Sequence, residues 1–68
     1  MRDNIPADAR ELKLTDRPDG TGRAVTANRD QPGGHWWRVD GFPGMVETDE
    51  LLDFGWPHVT RRFNQVPA

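Results

Sequence analysis

Seven glycines and six prolines punctuate a chain of 68 residues, spread along it rather than gathered in one linker. Glycine admits the backbone angles of tight turns, and proline interrupts helices and strand ladders. The stretches between them are therefore short. Short segments bounded by turn signals predict an all-β domain rather than a helical one.

The segments fit that expectation. Residues 1–10, MRDNIPADAR, have no clear period and read as an N-terminal arm, with a short helix through Ala7, Ala9 and Arg10 as the alternative. ELKLT, 11–15, alternates so that Leu12 and Leu14 share one face, as in a half-buried strand. DRPDGTG, 16–22, is a turn in which Pro18 presets φ and Asp19-Gly20 suits the bend. RAVTAN, 23–28, is a second strand and RDQPGG, 29–34, a loop. TDELLDFG, 48–55, reads as one helical turn: Thr48 or Asp49 is the N-cap, acids sit at the positive end of the dipole, and Gly55 stops it. HVTRRF, 58–63, is a last strand with Val59 and Phe63 inward, and 65–68 is a C-terminal tail.

Between loop and helical turn lies HWWRVDGFPGM, 35–45. Asp40-Gly41 is a favoured pair for a two-residue type I′ hairpin turn. That register sets Val39 against Phe42, Trp37 against Gly44 and His35 against Val46 on a mostly apolar face. The other face carries Trp36, Arg38, Pro43 and Met45. Neighbouring side chains on a strand point to opposite sides, so Trp37 belongs inside and Trp36 outside.

Composition limits what such a domain can do. With 34% hydrophobic residues, and only about 60% of its surface buried on folding, the core must be thin, supplying roughly 3–5 kcal/mol. The absence of cysteine excludes disulfides and thiolate-bound zinc and fits a reducing, cytoplasmic setting. No stretch reads as a signal peptide or membrane span. A net charge of −2 and a pI near 5.5 argue against a general nucleic-acid binder. Serine and tyrosine are also absent, leaving five threonines and Lys13 as side-chain nucleophiles. No nucleophile, base and orienter can be assembled from these residues, so an enzyme is not expected.

WWRV (36–39), followed by a tight hairpin and GMVETDEL (44–51), resembles the second half of an SH3 domain. ELKL (11–14) and AVTA (24–27) resemble that family's earlier strands, with NRDQPGG (28–34) as the intervening loop. The resemblance implies a small SH3-like antiparallel barrel of about five short strands over 11–64, with one helical turn near 48–54. It places Val39, Val46 and Leu51 in the core. The chain departs from the family at its ligand groove: Glu47 stands in place of a proline and Glu50 in place of a ligand-contacting tyrosine. Of the aromatic groove only Trp36 remains, which argues against proline-rich ligands.

Trp36, with Arg38, Met45, Glu47, Glu50 and Trp56 around it, is the candidate partner-binding set, because exposed tryptophan, arginine and methionine are interface residues. Glu47, Asp49, Glu50 and Asp53 read as a solvated acidic face, or as a rim selecting a basic partner; a cation shared by Asp49 and Asp53 is the less favoured alternative. His35 and His58 read as structural. The function expected is a non-enzymatic protein–protein interaction module, of the kind supplied by small bacterial or phage accessory, regulatory or assembly proteins. It would bind a partner protein or a second copy, with no cofactor, metal or membrane. The alternative is a small nucleic-acid-binding barrel using Trp36 with Arg23, Arg29, Arg61 and Arg62.

Overall fold

The computed structural model describes residues 5–64. Five strands and one helical turn follow in order: β1 (Ala9–Thr15), β2 (Ala24–Asn28), β3 (Trp36–Val39), β4 (Met45–Glu47), α1 (Thr48–Leu51) and β5 (Trp56–Arg62). All pairings are antiparallel and form one sheet, in the order β4-β3-β2-β1-β5. The radius of gyration is 11.3 Å.

The core face is built from rows that cross the sheet. Val59, Leu12, Ala27 and Val39 stand side by side on β5, β1, β2 and β3. Pro57, Leu14 and Val25 form a second row, and Trp37 faces Val46. Alternation along β1 and β3 produces these rows. Leu51 of α1 adds a fully buried side chain to the same cluster.

The β1–β2 turn forms as its residues dictate. The Gly20 amide donates to the Arg17 carbonyl at 3.1 Å, closing a turn with Pro18 at its second position. The Thr21 amide and hydroxyl both donate to Asp19 Oδ1, at 3.0 and 2.7 Å.

Four expectations need correction. The sheet is open, not closed into a barrel: β4 and β5 are its two edges, and β4 pairs only through its three residues. Secondly, the β3–β4 register is displaced by two residues, with Trp37 opposite Val46 and Arg38 opposite Met45. The Phe42 amide donates to the Val39 carbonyl at 3.0 Å, and Gly41 has φ +80° while no non-glycine among the described residues has positive φ. A type I′ turn needs positive φ at both central residues, so the bend is of type II character. Pro43 then cannot donate to a ladder, and pairing resumes only at Met45. Phe42, expected inside, is 46% exposed. A shift of two preserves which side each residue faces, and Trp37 stays buried.

Thirdly, much of the expected N-terminal arm is tied in. β1 starts at Ala9, Ile5 packs against the core, and the Phe63 amide donates to the Asp8 carbonyl at 2.8 Å. Residues 1–4 and the 65–68 tail lie outside the described residues. Lastly, the residue capping α1 is Glu47, without a side-chain bond. The Thr48 hydroxyl instead accepts from Trp37 Nε1 at 3.0 Å.

Candidate functional site

β3 and β4 place Trp36 and Met45 on the outer face of the sheet, 53% and 47% exposed. Trp36 is directly opposite Glu47, and Arg38 opposite Met45, so all four share that face. Trp36 and Met45 also line one side of a groove of about 510 Å³, whose other lining is Arg29 and the loop 30–35.

That loop is shaped from below by Arg29, only 5% exposed. Its Nε donates to the Ala9 carbonyl at 2.8 Å and its Nη1 to Gly34 at 2.7 Å. Nη2 donates to Pro6 and Ala7, both at 3.0 Å. Its guanidinium lies 4.4 Å from the Trp37 ring centroid and 5.9 Å from that of Phe63. Burial lowers its pKa from the ordinary arginine value, and the charge of Asp8 opposes that shift. The loop is held further by the Gly33 amide on the Ala7 carbonyl at 2.9 Å. At the groove's lip Asp30 is ion-paired with Arg38.

Arg29 is therefore withdrawn from the nucleic-acid set of Arg23, Arg29, Arg61 and Arg62, because its donors are spent on interior carbonyls. The other three do not gather. Arg23 lies beyond the Thr15 end of β1, whereas Arg61 and Arg62 pair near its Ala9 end. Arg61 lies 3.8 Å from Glu11, and Arg62 is 2.6 Å from Asp8.

No protein-family model matches this chain, and no curated protein or solved structure matches it.

Of the six candidate partner-binding residues, the outer face brings together Trp36, Arg38, Met45 and Glu47. Glu50 sits in the turn that follows Glu47. Trp56, 36% exposed, begins β5, which lies beyond β2 and β1 from β3, and it does not line the groove. Among the described residues no group of three acidic or histidine side chains is arranged for a metal ion, and no helix is long and apolar enough to cross a membrane. His35 is exposed. His58 packs beneath the β1–β2 turn, where a Cβ on Gly20 would lie 3.6 Å from its ring. Its buried Nε2 has no hydrogen-bond partner among the described residues.

The groove's second wall, the 30–35 loop, has no signal in the sequence. Nothing local in RDQPGG announces it, since its position depends on Arg29 reaching back to residues 6–9. The Phe42–Phe54 edge-to-face contact, with ring centroids 5.4 Å apart, is likewise absent from any local pattern.

Proposed function

We propose that this chain is a non-enzymatic interaction module on an SH3-like scaffold, docking a protein segment on the face centred on Trp36. The observation that carries the reading is the indole itself: half exposed beside Met45, at the edge of a groove whose opposite wall is pinned in place. An exposed tryptophan next to a flexible methionine is a hot-spot arrangement, offering large contact area at little entropic cost. The succession of tryptophan strand, hairpin and helical turn supports the scaffold assignment.

Both sheet edges are poor sites for strand addition. β4 has three residues, and β5 carries Pro57 and a register shift around Glu11. Short strands, edge proline and irregular pairing all discourage such pairing. This favours side-chain docking on the Trp36 face.

The test is Trp36→Ala. The variant keeps the circular dichroism spectrum and melting temperature of the parent while losing a partner identified by affinity purification from the native host. A variant that unfolds, or one that retains the partner, removes the assignment.

A further inference from the structure

The docking surface has an electrostatic character that narrows its occupant. Between Val39 and Pro57 the chain contains Asp40, Glu47, Asp49, Glu50 and Asp53, and neither lysine nor arginine. None of these carboxylates is in an ion pair among the described residues. The one arginine on the outer face of β3, Arg38, is engaged by Asp30. Trp36 thus shares the groove's lining with Asp30 and faces Glu47 directly across the ladder. An indole face attracts a cation through its quadrupole, and flanking carboxylates add to the attraction while selecting against acidic partners.

We propose that the groove takes an extended protein segment presenting an arginine or lysine. The cationic head stacks on Trp36 between Asp30 and Glu47, and the stem lies along Met45. Arg38 is then an internal competitor: while it holds Asp30, one of the two carboxylates is already neutralised. This rests on the docking reading above, and it adds the sign of the partner's charge and a regulatory role for Arg38.

The probe is a capped Gly-Arg-Gly-Arg-Gly peptide, with the glutamate-for-arginine peptide as control. The full chain is titrated and followed by NMR at the three indole N–H signals. The arginine peptide moves the Trp36 signal, not those of Trp37 or Trp56, and its binding weakens as salt rises through about 0.15 M. Glu47→Gln weakens it roughly two- to fivefold, the range of an exposed ion pair. Arg38→Ala strengthens it by a similar factor.

Equal binding of the glutamate peptide, or weaker binding by Arg38→Ala, overturns the proposal. So does a random oligonucleotide that moves the Trp36 signal when the peptide does not. If the arginine peptide fails while Trp36→Ala still loses its captured partner, the cationic assignment falls and the docking reading stands.

Discussion

The guanidinium of Arg29 lies over the indole of Trp37, 4.4 Å from its centroid, with both side chains inside the domain. A charged group is tolerated there because four of its N–H groups find carbonyls and the ring supplies a polarisable surface. One side chain thereby joins residues 6–9, the 29–35 loop and the central tryptophan.

Arg29→Met removes all four bonds and leaves the carbonyls of Pro6, Ala7, Ala9 and Gly34 without that donor. Hydrogen bonds made by a charged group are worth about 1.5–3 kcal/mol each, so losing four exceeds the roughly 3–5 kcal/mol expected of a core this small. The variant is unfolded at room temperature by circular dichroism. Arg29→Lys is also strongly destabilised, since an ammonium has three donors and no planar fork.

Thr48→Val keeps the shape of the side chain and deprives Trp37 Nε1 of its acceptor. An orphaned buried donor costs about 1–3 kcal/mol. Thr48→Ser retains the hydroxyl and stays close to the parent in a urea melt.

Gly55 has no room for a side chain. A Cβ there would lie 2.6 Å from the Thr15 carbonyl oxygen and 2.9 Å from Leu14 C, and these are backbone atoms of β1. Gly55→Ala forces β5 away from β1 at the Trp56–Thr15 pair, at a cost of about 1–3 kcal/mol. Amide exchange of Thr15 and Trp56 rises accordingly.

Asp19 titrates below its ordinary 3.8, chiefly through the Thr21 hydroxyl and then the Thr21 amide. A depressed carboxylate stabilises the turn above its unfolded value, and that contribution disappears as pH falls through the folded one. Thr21→Val moves the Asp19 titration, followed by NMR, back toward 3.8. In the parent, protection of the residue-21 amide is lost at lower pH than in the variant.

His58 keeps a buried nitrogen under Gly20 with no partner among the described residues. His58→Phe replaces it with carbon in a ring of similar shape. Removing an unsatisfied polar atom is stabilising, by about 1 kcal/mol, and the melting temperature rises. A fall would show that Nε2 has an acceptor in solution.

What the sequence by itself determined is local. Leu12 with Leu14, and Trp37 against Trp36, are sorted to their faces by strand alternation, and the β1–β2 turn is shaped by Pro18, Asp19 and Gly20. These follow from backbone geometry over two to four residues. Parity survived even where register did not: Pro43 and the positive φ of Gly41 with a negative-φ Asp40 displaced the hairpin by two residues, an even number. Only the tertiary structure decided the rest. Arg29 reads as an exposed loop charge until residues 6–9 and Gly34 converge on it from about twenty positions upstream and five downstream. The groove beside Trp36 exists because that convergence sets the 30–35 loop, and the sheet stays open because β4 and β5 form its two edges. Such contacts depend on which distant carbonyls and strand edges meet, and no local pattern of side chains encodes that.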